Sequence, residues 1–270
     1  MAKITVAGGT SSFARDVIDA ILAKGKHDVM TTSLDKGDNV KQVVVDYDNQ
    51  AELVDVLRGS DVLLCFFSGS DHATVIKREK NLIDAAIKAN VRRFAPSDRS
   101  NSGTMVYEFK DEVRQYLEKS KQRRESMFLF SLTRFLCHPY KGAKHFDTNP
   151  MFVDFETRNA IIAGDGNHPI VLTTVQDVAS VVAEAIDYPG GWPVVGGIMG
   201  TRIAMAELVK LGEQLRAGQE IPVSKFTAQR FIHGTMSGAW DVSNEWNELL
   251  SHLSFATAEG YLAGIWTGKP

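Results

Sequence analysis

The chain has 270 residues, and its 30 basic and 33 acidic side chains give a formal charge of −3 and an isoelectric point near 6.2. This balance excludes the strongly basic surface on which nucleic-acid binding depends, so we expect no nucleic-acid partner. The two cysteines, Cys65 and Cys137, lie far apart without a CxxC spacing, which argues against a disulfide framework and a metal site. The longest apolar runs, such as residues 62–67, are too short to cross a bilayer. We therefore expect a soluble, cytoplasmic protein with no metal and no membrane partner.

Strand-like and helix-like runs alternate through the first half of the chain. A β-branched run over residues 4–7 ends in two glycines and passes into an amphipathic stretch over residues 13–24. Further strands are predicted over 27–32, 43–46, 61–67, 91–96 and 127–134, and further helices over 49–57, 71–90 and 107–118. Such alternation is typical of an α/β protein with a doubly wound parallel sheet of the Rossmann type.

Beyond residue 139 the pattern changes, because short strands and glycine turns mix with predicted helices over 175–186 and 204–217. We expect an NAD(P)-binding Rossmann domain over 1–145, to which 170–188 returns, and a smaller C-terminal substrate-binding lobe over 146–270. The many aromatic residues after 225 either line an apolar pocket for a flat substrate or fill the core of this lobe. A partly helical spacing of apolar residues over 249–255 leaves a homodimer open.

The turn after the first strand is the candidate phosphate site. A strand, a tight turn and a helix aim backbone N–H groups and the positive helix end at a diphosphate. The expected spacing GxxGxxG is here Gly8-x-x-Ser11-x-x-Ala14, and if the middle position needs a positive φ, serine costs on the order of 1 kcal/mol there. The candidate contacts are Gly8, Thr10, Ser11, Ser12 and Phe13. A glycine turn without a ligand is the alternative.

In an open doubly wound sheet, ligands bind outside the carboxyl ends of the strands. After the second strand the chain carries Thr32 and Lys36, which suit the 2′-phosphate of NADPH better than the free hydroxyl of NADH. Asp35 keeps NADH open, and Lys36 is otherwise a solvated turn lysine. After the third strand, Asp46 either accepts a hydrogen bond from the adenine amine or caps a helix. The fourth and fifth strands add as candidate cofactor contacts Phe67, Ser68, Pro96 and Ser97.

A series of short segments then occurs in a characteristic order. These are AGGT (7–10), RFAPSD (93–98), Lys110 with VRQYLE (113–118), VDFETR (153–158) with AGDG (163–166), and TTVQDVA (173–179). Together they resemble the NmrA-like and isoflavone-reductase-like branch of the atypical short-chain dehydrogenases, in the form common in fungi. The likeness extends to about residue 211, and the ordered set is more specific than any one segment.

The resemblance implies a Rossmann domain, NADPH as cofactor, and an oxidoreductase that reduces a small aromatic or polyketide-like secondary metabolite. The catalytic lysine of the family falls on Lys110, which would hold the nicotinamide ribose and relay a proton. A solvent-facing helix lysine is the alternative. Tyr107 precedes Lys110 by three residues, so the two do not form the YxxxK pair of ordinary short-chain dehydrogenases. The candidate substrate contacts are Asp98, Tyr107 and His138. The alternatives are a packed aromatic residue for Tyr107 and a structural loop histidine for His138.

Two other hypotheses stay open. A non-catalytic redox sensor would bind NADP and a protein partner, although Lys110 and a well-furnished C-terminal lobe count against it. A repurposed fold with non-redox chemistry is suggested by Ser11 and by residues 98–100, DRS, which replace the acidic-aromatic-glycine ending of the family. The segment FLCHPY over 135–140 also departs from the family, which indicates an unusual substrate.

Overall fold

The computed structural model describes residues 1–33, 40–67, 69–98, 108–120, 127–128, 133–146, 148, 150–225 and 230–269. For residues 97, 98, 108, 109, 127, 128, 134, 224, 225 and 230–232 it describes the backbone alone. The described residues form two compact units. The first unit takes them from Met1–Arg99, Glu108–Leu129 and Ala179–Gly196, and the second from Phe130–Val178 and Gly197–Pro270.

Strands and helices alternate along the described chain. The strands are β1 (Lys3–Ala7), β2 (Asp28–Ser33), β3 (Lys41–Val44), β4 (Val62–Cys65), β5 (Arg93–Ala95), β6 (Ser97–Asp98), β7 (Met127–Phe128), β8 (Val153–Asp154), β9 (Asn159–Ile162), β10 (Pro169–Leu172), β11 (Thr201–Ala204) and β12 (Val223–Lys225). The helices are α1 (Ser12–Ala23), α2 (Gln50–Leu57), α3 (His72–Lys88), α4 (Glu108–Lys119), α5 (Val175–Asp187), α6 (Met205–Leu215), α7 (Arg230–Met236), α8 (Glu245–Leu249) and α9 (Ala258–Trp266). None of the helices in the described ranges combines the length and the apolar composition that a membrane crossing requires.

The first unit is built on a parallel sheet of five strands in the order β3-β2-β1-β4-β5. Every residue of β4 is buried, and so is β1 from its second residue to its end. A strand covered on both faces requires such a continuous apolar run. Because the strand order proceeds outward on both sides of β1, the expected α/β class with a doubly wound parallel sheet is confirmed.

Polar side chains determine where three helices leave the carboxyl edge of this sheet. Ser11, Asn49 and Asp71 each cap a helix by accepting a hydrogen bond from the backbone N–H three residues on. A side-chain acceptor at this place satisfies one of the N–H groups that have no partner within the helix. The helices α1, α2 and α3 therefore begin beside the edge at which a ligand is expected.

The structure differs from the sequence-based prediction in the third and sixth strands. Strand β3 ends at Val44, and Asp46 lies in the following turn, because its carboxylate accepts from the backbone N–H of Asp48 at 2.9 Å. Strand β7 covers Met127–Phe128 and pairs with β6 in a separate parallel pair. Thr133–Leu136 form a 3-10 helix, so the prediction of a strand up to residue 134 is wrong at its end. A short apolar run does not by itself distinguish a strand from a helical turn.

The second unit has its own core, which includes the C-terminal helix α9. Trp266 of α9 is 1% exposed, packs edge-on against Phe155 and donates its indole N–H to the carbonyl of Leu136 at 2.9 Å. Trp240 and Trp246 are also buried. Of the two roles expected for the C-terminal aromatic residues, these three tryptophans fill the core. Around them the unit has a three-stranded sheet, β12-β9-β8, and the antiparallel pair β10-β11.

Arg93 of β5 holds the segment that follows α5 within the first unit. Its guanidinium is buried and donates to the carbonyl oxygens of Tyr188 at 2.8 Å and Gly190 at 2.6 Å. It also donates to two carbonyl oxygens in the last turn of α5, at 3.3 and 3.4 Å, and lies 5.0 Å from the ring centroid of Trp192. A cation is favourable at this place because the last carbonyl groups of a helix carry partial negative charge.

Replacement of Arg93 by methionine should lower the free energy of unfolding by about 3 kcal/mol, because four carbonyl oxygens lose a charged donor. Urea denaturation followed by circular dichroism measures this change. The control is Arg58→Met, since the Arg58 side chain is 72% exposed and pairs with Asp55 on the surface. We expect the control to differ from the wild type by less than about 0.5 kcal/mol. Equal stabilities of the two variants would contradict the role assigned to Arg93.

Candidate cofactor and active site

The turn between β1 and α1 needs two glycines for two different reasons. Gly8 has a φ of +74°, and a Cβ atom there would lie 3.2 Å from the ring of Phe67 and 3.3 Å from the carbonyl oxygen of Phe66. Gly9 has no positive φ, but a Cβ atom there would lie 2.7 Å from the side chain of Thr31. The first glycine is required by conformation and the second by close packing against β2.

The glycine spacing predicts a glycine at position 11, and the structure shows that Ser11 is the N-cap of α1. Its backbone is extended, with φ −66° and ψ 146°, and its hydroxyl accepts from the N–H of Ala14 at 3.3 Å as the cap of α1. The cost expected for a serine at positive φ therefore does not arise, because Gly8 carries the positive φ of this turn. Ser12 is the first residue of α1, so the amino end of the helix and its dipole begin directly after the serine.

Hydroxyl groups line the carboxyl end of β2 beside this turn. The carbonyl of Thr32 accepts from the N–H of Gly8 at 3.0 Å, and the hydroxyls of Thr10 and Ser33 lie 3.2 Å apart. The Thr32 hydroxyl lies 3.0 Å from that of Tyr47. Strand β2 ends on Thr32 and Ser33. Lys36, the predicted phosphate partner, lies outside the described residues.

Aromatic rings flank the same turn. The Phe13 ring of α1 lies 5.9 Å from that of Phe66, and the Tyr47 ring lies 4.7 Å from that of Phe67, both edge to face. Tyr47 is 2% exposed, and burial raises the pKa of its hydroxyl to about 12. The sequence places Tyr47 with Asp46 after the third strand, at the edge where ligands bind, although it assigned the adenine hydrogen bond to Asp46 and no role to the ring of Tyr47.

The structure brings one group of the predicted cofactor residues together and leaves others apart. The residues brought together come from the ends of β1, β2 and β4 and from the start of α1. They are Gly8, Thr10, Ser11, Ser12, Phe13, Thr32 and Phe67. Asp46 is exposed and its carboxylate accepts from the N–H of Asp48 in its own turn, whereas Asn49 caps α2, so the alternative that Asp46 caps a helix is wrong. Pro96 is buried after β5. The side chains of Ser97 and Asp98, and the whole of Ser68 and Tyr107, lie outside the described part.

Lys110 is buried and forms an ion pair with Glu79. Its Nζ lies 2.7 Å from Oε2 of Glu79, and the two side chains are 3% and 0% exposed. The alternative of a solvent-facing lysine is therefore wrong. The second carboxylate oxygen of Glu79, Oε1, is also buried and has no hydrogen-bond partner within the described part of the chain. A fully buried carboxylate with an unused oxygen is costly to the fold, which makes this pair a candidate functional group.

The pair forms because both charges occupy the apolar faces of neighbouring helices. On α3, Glu79 lies four residues after Val75 and four before Ile83, and all three side chains are buried. On α4, Lys110 shares a face with the buried Val113 and Leu117. Residues three, four and seven apart lie on one side of a helix, so α3 and α4 bring the two charges together where they pack. Sequence reasoning missed Glu79, although a charged residue within an apolar helical face was a usable signal.

The remaining candidate, His138, belongs to the second unit. Its Nδ1 lies 3.0 Å from the carbonyl oxygen of Thr148, and the side chain is half-buried. The neighbouring Cys137 is buried, and burial raises the pKa of its thiol to about 11, so the sulfur is held as the unreactive thiol. Among the described residues, no group of three or more His, Cys, Asp or Glu could hold a metal ion.

Comparison with known proteins shows the family to which the chain belongs. The sequence pattern of the NmrA-like family matches residues 1–214, which confirms the resemblance drawn from the motifs. Oxidoreductase BOA1 of Botryotinia fuckeliana is 24% identical over 246 residues, which cover 82% of this chain and 78% of the relative. Oxidoreductase swnN of Metarhizium robertsii is 26% identical over 272 residues, which cover 86% of this chain and 75% of the relative. Both relatives carry the name of the enzyme class that the sequence led us to expect.

A solved structure shares the fold over nearly the whole chain. AtPrR2, determined with NADP+ and (+)pinoresinol, has a TM-score of 0.72 to this structure at 19% identity, and the match covers 98% of each chain. A likeness at this identity shows the fold. The shared fold covers residues beyond 214, among them helices of the second unit.

The raised pKa of Tyr47 predicts a loss of stability in alkali. A hydroxyl whose pKa rises from 10.0 to about 12 on folding adds stability below pH 10, and this contribution is lost as the pH rises through 12. The free energy of unfolding should therefore fall by about 2–3 kcal/mol over that range. Denaturation curves of the wild type and Tyr47→Phe between pH 7 and 12 check this. The variant should lose about 1 kcal/mol at pH 7 with the Thr32 hydrogen bond and show a flatter alkaline slope, whereas parallel profiles would contradict the assignment.

Proposed function

Because the chain belongs to the NmrA-like family, we propose that it is an NADPH-dependent reductase of a small aromatic or polyketide-like secondary metabolite. The observation that carries the proposal is the conformation of the turn between β1 and α1. Ser11 caps the helix in an extended conformation while Gly8 takes the positive φ, so the serine does not obstruct the approach of a diphosphate to the helix start.

The residues around the turn fit a dinucleotide. Gly8 and Gly9 keep the backbone free of side chains where the diphosphate would accept hydrogen bonds from the start of α1. Thr10 and Ser33 offer hydroxyl groups beside the end of β2, where a carboxylate would repel a 2′-phosphate. These features favour NADPH over NADH. The Tyr47 and Phe67 rings give the same edge an apolar side against which a flat base can pack.

We propose that Lys110 donates the proton that completes the reduction. When bound, NADPH supplies a hydride, and a reduced carbonyl or double bond then needs one proton to complete the product. A lysine ammonium can donate that proton from Nζ and be reprotonated from solvent after the product has left. The buried position of Lys110 keeps its ammonium away from bulk water until a substrate is bound.

The names of the relatives support the same class of reaction. BOA1 and swnN are called oxidoreductases, and AtPrR2 binds an aromatic ligand together with NADP+. For this chain we propose that the domain predicted over 1–145 holds the cofactor and that the lobe predicted over 146–270 holds the substrate. His138 is the proposed substrate contact of that second part.

The choice of cofactor can be tested by titration, following the quenching of tryptophan fluorescence. We expect NADPH to bind with a micromolar Kd and NADH at least tenfold more weakly. Ser11→Gly should bind NADPH within twofold of the wild type, because the serine requires no positive φ. Gly8→Ala should bind at least tenfold more weakly, because its Cβ atom would be strained and crowded. Failure of both nicotinamide cofactors to bind at millimolar concentration would refute the proposal.

The role of Lys110 can be tested with NADPH oxidation on a panel of pinoresinol, aromatic ketones and enones. Lys110→Met should bind NADPH within threefold of the wild type and lose at least a hundredfold in kcat on any compound that the wild type reduces. Because this variant leaves Glu79 buried without its cation, at a cost of about 3–5 kcal/mol, rates are measured well below its unfolding midpoint. The control is Lys80→Met, which removes the half-buried cation of the neighbouring ion pair and should keep wild-type kcat. Full activity of Lys110→Met would exclude the relay.

A further inference from the structure

We propose that Glu79 is a positioning residue for Lys110, an inference that rests on the proposed function. The carboxylate holds the ammonium of Lys110 at 2.7 Å through Oε2, and its Oε1, which has no hydrogen-bond partner among the described residues, is a second place for the same proton donor. Glu79 itself is not assigned a contact with substrate or cofactor. It acts through the lysine, by fixing the end of a long side chain that would otherwise have many rotamers.

Glu79 is a fully buried carboxylate. Its side chain is 0% exposed on the apolar face of α3, where packing alone would favour a leucine or a methionine. A buried carboxylate is retained at a cost, and the cost is reduced only by a partner with opposite charge. The partner that the structure supplies is the ammonium of Lys110. Glu79 is therefore best explained by what it does to that ammonium.

One oxygen of the Glu79 carboxylate, Oε1, accepts no hydrogen bond from the described residues. A carboxylate that served stability alone would be stronger with both oxygens accepting hydrogen bonds, as buried polar groups in proteins usually are. Oε1 of Glu79 accepts none within the described residues. The ammonium of Lys110 can therefore move from one oxygen to the other without losing its counter-charge. Such a movement lets Lys110 adjust to a bound substrate while it stays paired.

A second ion pair between the same two helices provides the contrast. Lys80 of α3 lies 2.5 Å from Glu112 of α4, but its side chain is 28% exposed and that of Glu112 is 55% exposed. This surface pair joins the same helices without reaching their buried interface. The two pairs separate the effect of joining α3 to α4 from the effect of holding a buried ammonium.

The test is a double-mutant cycle between Glu79 and Lys110. Glu79→Gln keeps the shape of the side chain and removes its charge. On a compound of the pinoresinol, ketone and enone panel that the wild type reduces, we expect kcat to fall at least tenfold while KM and the Kd of NADPH stay within twofold. Single-turnover NADPH oxidation with enzyme in excess should proceed at the same rate in Lys110→Met and in the double variant that also carries Glu79→Gln. The same relative loss in both backgrounds would show a merely structural role and overturn the proposal.

Two control variants distinguish an effect on kcat from an effect on folding. Glu112→Gln removes the carboxylate of the exposed pair and should keep wild-type kcat. Glu79→Asp keeps the charge but withdraws it by one methylene, and we expect a kcat between those of the wild type and Glu79→Gln. Thermal unfolding of each variant shows whether it is folded at the assay temperature. If Glu79→Gln does not fold, the aspartate variant decides, and wild-type kcat for it would overturn the proposal.

A readout without turnover separates this proposal from the proposed function. The rate at which an N-hydroxysuccinimide ester acylates Lys110 is measured by peptide mass spectrometry, with Lys80 as the internal reference. The ester reacts only with the neutral amine, and loss of the carboxylate removes the counter-charge that holds Lys110 as the ammonium, so the rate at Lys110 should rise at least fivefold in Glu79→Gln and stay unchanged in Glu112→Gln. An unchanged rate at Lys110 in Glu79→Gln would overturn the proposal. If the rate rises but the wild type reduces no compound of the panel, the proposed function fails while the pairing stands.

Discussion

The candidate cofactor site of the first unit depends on how closely the backbone of the turn between β1 and α1 approaches its neighbours. Gly8 and Gly9 pass between the side of β2 and the backbone that leaves β4, where a Cβ atom on Gly9 would clash with Thr31 and one on Gly8 would be strained at a positive φ and crowded. Only with this close passage can α1 start directly beside the ends of three parallel strands. Ser11 can then serve as a cap, because the backbone reversal has already been completed at Gly8. The positions of the hydroxyl and aromatic side chains around the turn follow from this approach.

Buried charges are the second organising feature of the first unit, and they are satisfied in two ways. Arg93 uses the directional donors of its guanidinium to bind four backbone carbonyl oxygens, so its charge is spread over neutral acceptors. Lys110 instead places its Nζ, at the end of a flexible stem, beside the carboxylate of Glu79. The first arrangement is rigid and suits an architectural role. The second leaves one acceptor unused among the described residues, which suits a side chain that has to move during a reaction cycle.

The sequence was sufficient for the architecture and for part of the site. Alternating apolar runs predicted the parallel sheet, since a strand buried on both faces has few other ways to be satisfied. The glycine turn was predicted from its residue types, whereas Lys110 was singled out only through the resemblance to the family. Glu79 was missed because its partner lies 31 residues away, so its charge within an apolar helical face did not by itself reveal the pair. The conformation of Ser11 could not be predicted either, because a serine is compatible with both a cap and a strained turn.

The anchoring of Arg93 has a consequence for how the chain is made. Its acceptors lie 92 to 97 residues further along the chain, beyond most of the first part of the second unit. A nascent chain that has left the ribosome only as far as α4 therefore carries a guanidinium at the edge of the sheet with those acceptors still unsynthesised. Contacts of such long sequence separation form late. The first unit should consequently reach its final stability only after translation has passed residue 190, although its first strand emerges at the very start of synthesis.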